Sequence, residues 1–158
     1  MPKKVEHNKR KFPNILIENA VVSDVIENVV FHVSNNGQSS SILDFSLHSI
    51  YHPEVKYITS FECETNLLKN ILSKYDIHFN FLNFDIQGSE LKALKGMESY
   101  LSKVDYLYTE VNSDYVYKDC VLIGELDEYL KKIGLIRKET IWTDCKWGDA
   151  FYIRESLL

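Results

Sequence analysis

Cysteine is scarce in this chain and scattered. Cys63, Cys120 and Cys145 are odd in number, widely spaced and outside any CxxC pattern, which argues against a disulfide framework and against a zinc site. No apolar run approaches the length of a membrane helix, and the charged N-terminus lacks the apolar core of a signal peptide. These absences predict a soluble, cytoplasmic protein with no membrane partner. Positive charge is also in short supply: 18 Lys and Arg face 23 Asp and Glu, a formal net charge of −5, which opposes non-specific binding to phosphate backbones. The basic residues cluster at Lys3, Lys4, Lys9, Arg10 and Lys11, where a short arm beside a terminus reads as a solvated tail, so no nucleic-acid partner is expected. Repeats and low-complexity blocks are missing too. With 45% hydrophobic and 13% aromatic residues, the 158-residue chain has the composition of one folded domain, large enough for one core but small for a complete α/β enzyme.

Residues 1–13 read as a flexible basic leader and 14–158 as the folded domain. Ile15 to Val22 and Val29 to Val33 carry strand patterns, and the short polar link between them predicts a hairpin-like reversal. A turn-rich loop through Asn35, Gly37 and the serines 39–41 leads to LHSIYHPEV at 47–55, then to a strand over 55–61. Leu67, Leu68, Ile71 and Leu72 predict an amphipathic helix over 64–75 with Thr65 at its start. Further on come a strand over 79–85, a helix from Ser89, a short helix near 98–103 and a strand over 105–111. A helix over 122–133 closed by Gly134 precedes an antiparallel hairpin of 136–142 and 150–154. Gly96 stands where a helix C-terminus commonly takes a left-handed residue.

The chemistry concentrates in FLNFDIQGSELKALKG, residues 81–96. Phe79, Phe81, Leu82, Phe84 and Ile86 give the near-continuous apolarity of a strand covered on both faces, as in the centre of a parallel sheet. Ligands of such sheets bind beyond the carboxyl ends of the strands, so Asp85 is placed either at a site or as the simple end of its strand. Glu90, on the first helical turn, and Glu110, near the end of the next strand, bring further acids to the same mouth. Asp85 with Glu110 offers oxygens to a hard cation, but paired acids as readily accept backbone N–H bonds, and no metal is assigned. His48 and His52 lie in the loop after the serines, where a histidine would reach a substrate proton or simply be solvated. Trp142, Trp147 and Tyr152 would stack on a sugar face or cover the core.

Several of these segments together resemble the FkbM family of S-adenosylmethionine-dependent methyltransferases: NAVVSD at 19–24, QSSSIL at 38–43 with LHSIYHPEV, FLNFDIQGSELKALKG, VDYLYTEV at 104–111 and WGDAFYIR at 147–154. The third of these matches the family's aspartate–x–glutamate–glycine–x–glutamate signature, with Gln87 in place of the usual glutamate. The resemblance implies an α/β fold, an incomplete Rossmann-like methyltransferase sheet, mostly parallel with an antiparallel C-terminal hairpin. It implies methyl transfer to a hydroxyl of a glycan or small molecule, with Asp85 and His48 catalytic. Asp85, Gln87 and Gly88 would meet the cofactor, and Ser40, Ser41, Glu90 and Glu110 the acceptor. Family members carry a glycine-rich cofactor loop ahead of this region. No GxG occurs anywhere here, and a side-chain-free loop is what lets backbone approach a ligand closely. The domain therefore reads as truncated on its N-terminal side. Two alternatives stay open: a non-catalytic α/β remnant serving as a binding module, or one half of a split enzyme completed by a homo-oligomer or a complementing chain.

Overall fold

The computed structural model describes residues 11–12 and 15–158. The leader read over 1–13 lies, Lys11 and Phe12 apart, outside these residues. The described elements form two mixed sheets. In the first, β1 (Val21–Ser23), β3 (Tyr57–Leu67) and β2 (Asn28–Ser34) lie side by side in that order. A one-turn helix α1 (His48–Tyr51) sits in the long connection from β2 to β3. The second sheet has the order β4 (Phe81–Phe84), β5 (Tyr106–Asn112), β7 (Trp147–Arg154), β6 (Leu135–Trp142). Helices α2 (Leu68–Leu72), α3 (Glu90–Lys95) and α4 (Ile123–Lys132) and a 3-10 turn at Glu98–Lys103 complete the packing.

Parallel pairing is the minority. β1–β3 and β4–β5 run parallel, while β2–β3, β5–β7 and β6–β7 are antiparallel. The mostly parallel, Rossmann-like sheet expected from sequence is thus corrected to two separate mixed sheets, with the C-terminal hairpin of β6 and β7 as anticipated. The error traces to 79–86. That apolar run suggested a central strand covered on both faces, yet β4 pairs only with β5 among the described strands and has one uncovered face: Leu82 and Phe84 pack on the core while Phe81 is 54% exposed. Apolarity on both faces of a strand does not by itself mean that both faces are covered.

Two local corrections have equally plain causes. The expected reversal from the first strand to the second does not pair them, because β3 lies between. Thr65 explains this: its hydroxyl donates to Val25 O at 2.7 Å and accepts from Glu27 N–H at 2.9 Å, and its own N–H reaches Glu27 O. These bonds keep residues 64–67 extended, so the helix predicted over 64–75 begins only at Leu68 and ends at Leu72. Tertiary bonds here outweigh helical spacing. Gly96, for its part, is right-handed with φ −66; a Cβ there would stand 2.2 Å from Ser23 O, so close approach to β1 is what requires glycine. Gly134 does take the left-handed φ of 76 that closes α4.

The core belongs to the second sheet. Leu107 and Val111 of β5, Ala150 and Tyr152 of β7 and Leu126 and Leu130 of α4 are almost completely excluded from solvent, joined by Leu94, Met97 and Leu101. Tyr152, considered above as a sugar platform, lies inside this core with its hydroxyl on Asp127 at 2.9 Å.

Candidate functional site

The site is built on the turn that leaves β4. Gln87 and Gly88 both take left-handed backbone, φ 57 and φ 94. Glycine suits the second because a Cβ would meet the Cβ of Cys120 at 2.9 Å; glutamine at the first bears strain that its hydrogen bonds must offset. Its Nε2 donates to Asp85 Oδ1 and, at 2.9 Å, to Glu110 Oε2, while its Oε1 accepts from the Tyr117 hydroxyl at 2.5 Å. The backbone carbonyl of Gln87 accepts from Ser41 Oγ at 2.8 Å. One neutral amide therefore ties together two acids and a tyrosine.

Glu90 supports the turn from inside. Its side chain is fully buried, and Oε1 accepts the N–H groups of Ile86 and Gly88 at 3.0 and 3.2 Å while Oε2 has no partner. Burial raises its pKa above the usual glutamate range despite those N–H bonds, with the charge of Asp85 adding to the rise. Glu90 lines neither cavity described below and lies behind the turn. Glu110 on β5 is 7% exposed, and its pKa is raised by burial first and then by Glu90 and Asp85. Directly across the β5–β7 ladder stands Asp149, half-buried and also raised, by burial and then by Asp85. Asp85 itself is exposed at the mouth.

His48 faces these acids from α1. The segment before it is fixed to the chain after β5, since Ser46 N–H and His48 N–H both donate to Val116 O, at 3.1 and 3.0 Å. The imidazole is 5% exposed, stacks on Phe45 with centroids 4.2 Å apart and planes 6° apart, and sets Nε2 3.2 Å from Ser39 Oγ; Nδ1 is unpartnered. Burial, with His52 nearby, lowers its pKa to about 4, so the ring is neutral at physiological pH. Of the serine run, Ser39 reaches the site. Ser40 Oγ bonds Gly37 O and Ser34 N–H, and Ser41 Oγ bonds Gln87 O and Leu43 N–H, so both hydroxyls hold the loop.

Two cavities meet at this turn. A polar one of about 490 Å³ is bordered by Ser39, His48, Glu110, Tyr117, Trp147 and Asp149. A second, of about 540 Å³, is mainly apolar, walled by Val21, Val22, Phe31, Val33, Ile42 and Phe61, with Ser40, Ser41 and Ser89 on its rim. Gln38, Asp85 and Gln87 line both. Among the described residues no group of three or more His, Cys, Asp or Glu is placed to hold a metal ion. Of the residues proposed from sequence, the structure brings together Asp85, Gln87, Glu110 and His48. Trp147, weighed above as a stacking face, lines the same cavity, and the structure adds Tyr117 and Asp149. Asp149 falls just before the strand read over 150–154, since β7 begins earlier than its apolar pattern marks, and Tyr117 sits in a loop with no pattern to mark it.

An α/β protein with an acid-and-amide turn between two cavities is the class this geometry defines. The methyltransferase FkbM domain matches residues 2–136 of the chain, which takes in most of the expected leader and stops short of β7. The chain belongs to the FkbM methyltransferase family. Members of that family depend in general on S-adenosylmethionine. No curated protein and no solved structure matches the chain.

Proposed function

We propose that this chain transfers a methyl group from S-adenosylmethionine to a hydroxyl of a sugar or other small molecule. The observation that carries the reading is the seam: Asp85 and Gln87 border an apolar cavity on one side and a polar, hydrogen-bonding cavity on the other. The fit of the cofactor rests on the apolar cavity. Its walls suit an adenosyl group, Ser89 Oγ is a buried hydroxyl without a partner on its rim, and Asp85 complements a positive sulfonium. Asp85, Gln87 and Ser89 would hold the group, which supplies an electrophilic methyl. What the chain's own residues contribute is position and proton transfer. Asp85 is the carboxylate open to both cavities and serves as the base for the acceptor hydroxyl. His48, neutral and nearly buried, orients the acceptor through its Ser39 partner, and Gln87 fixes the direction of the Asp85 carboxylate.

Calorimetric titration with S-adenosylmethionine tests the reading, followed by transfer of labelled methyl to a panel of sugars. The expected results are measurable binding and an Asp85→Asn variant that folds and binds but loses at least about 100-fold in turnover, the usual scale for a general base. No heat at millimolar cofactor removes the reading. A second reading is favoured by the edge of β4, which has no neighbour other than β5 among the described strands: a second copy or a complementing chain completes the donor side. In that case cofactor binding depends on protein concentration or on the added chain. A chain that binds no cofactor under either condition would be a non-catalytic binding module.

A further inference from the structure

The polar cavity is lined by acids. Glu54, Asp85, Glu110 and Asp149 line it, and no lysine or arginine stands among its described lining residues. Of the two histidines on its wall, His48 is held neutral by burial, and His52 stands 3.9 Å from the exposed Glu54, not within ion-pair distance of Glu110 or Asp149. Of these four acids only Asp85 also borders the apolar cavity, so Glu54, Glu110 and Asp149 have no cationic methyl donor to answer there. Two of the four are costly. Glu110 is 7% exposed and faces Asp85 and Glu90 from the turn and α3, Asp149 from β7, and Tyr117 and Cys120 from the segment after β5, without a basic partner at hydrogen-bond distance. Asp149 stands opposite it in the ladder, an arrangement in which like charges are destabilising. With no lysine or arginine beside them these acids keep their protons more tightly than usual, and a cationic ligand is what would release them. Independently, His48 is 95% buried on the same cavity wall with Nδ1 lacking any partner, a neutral polar group of the kind that meets hydroxyls. Trp147 and Tyr117 add aromatic faces to the same wall, which attract an ammonium as well as a sugar ring.

We propose that the polar cavity takes a hydroxyl compound that also carries a protonated amine, an amino sugar or amino alcohol, and refuses phosphorylated and carboxylated ones. This deepens the reading above and rests on the polar cavity being the acceptor side. The ammonium lies among Glu110, Asp149 and Glu54, and the hydroxyl to be modified lies toward Asp85 and His48. A phosphate in the same place would meet four carboxyl groups and no cation.

The test is a set of calorimetric titrations at pH 6.5 with D-glucosamine, D-glucose and D-glucose 6-phosphate as probes, repeated at low and high salt. The amine is expected to bind at least about 10-fold more tightly than glucose, to weaken as salt rises, and the phosphate to show no binding. In a Glu110→Gln/Asp149→Asn double variant, which keeps shape while removing both groups that can give up a proton to a cation, the preference for the amine falls to within about 2-fold of glucose. Glu54→Gln, at the exposed rim, gives a smaller loss and keeps the test sound if the double variant fails to fold. Equal binding of amine and glucose, binding of the phosphate, an amine preference unchanged in a folded variant, or no binding of any of the three probes overturns the proposal. S-adenosylmethionine titrated in parallel separates the two readings. Cofactor binding without amine preference removes this inference alone, whereas amine preference in a chain that takes up no cofactor removes methyl transfer and leaves the acidic site standing.

Discussion

The two sheets are held in different ways. The β4–β5–β7–β6 sheet packs its inward face on α4, α3 and the 3-10 turn, and the buried hydrophobic cluster is drawn from residues 94–152. Among the described residues the β1–β3–β2 sheet has no comparable cluster: much of β3 is exposed, including Ile58 at 65% and Phe61 at 51%. What fixes it is a set of particular hydrogen bonds, Thr65 to the 25–27 link, Tyr57 Oη to Leu43 O at 2.6 Å, and Ser41 to Gln87 O. Hydrophobic burial is non-directional and spreads its contribution over many residues; hydrogen bonds place a segment but concentrate the risk in a few atoms. The candidate site draws on both, with Glu110 and Asp149 on the packed sheet and His48 and Ser39 on the connection from β2 to β3.

That contrast can be broken by substitution. Leu126→Ala, at 0% exposure in the packed half, should cost about 3 kcal/mol through lost burial and the cavity left behind, read as a lower denaturant midpoint. Thr65→Val keeps shape but strips the partner from Glu27 N–H, and should cost about 2 kcal/mol. If the two halves are held as described, this variant raises amide exchange in β1 and β3 while protection in β5 and α4 stays near that of the parent. Uniform loss of protection would show a single cooperative unit instead.

A smaller effect sharpens the comparison at the site. Glu110 has a raised folded-state pKa, so the folded chain holds a proton that the unfolded chain releases above about 4.3, and this contribution to stability is lost as pH rises toward the folded value. His48 acts oppositely: its folded pKa of about 4 lies below the unfolded value of about 6.5, so between these it favours stability as pH rises. Above about pH 6.5 His48 is neutral in both states and the acid dominates. Stability should therefore fall on the order of 1 kcal/mol from pH 6.5 to 8, followed by thermal melts, and Glu110→Gln should flatten the decline. An unchanged slope in that variant would assign the decline to other groups.

How far the sequence could be read follows the same division. The helix over 123–132 and the β6–β7 hairpin were legible because their apolar spacing and turns are local, and the acid, glutamine and glycine after β4 were legible as a motif. The uncovered face of β4 was not, since Phe81 and Phe84 look alike in a sequence whether a neighbour covers one face or both. Nor was the end of β3, where Thr65 is bonded to residues about 40 positions away.

By itself, then, the sequence determined the family, the kinds of element and the acidic turn, because these depend on residues within a few positions of one another. Only the tertiary structure decided that Gln87 gathers Asp85, Glu110 and Tyr117, that Glu90 works beneath the turn, and that Asp149 and His48 border one cavity. Those facts depend on which strands become neighbours, and strand order is set by burial and by bonds across the whole chain.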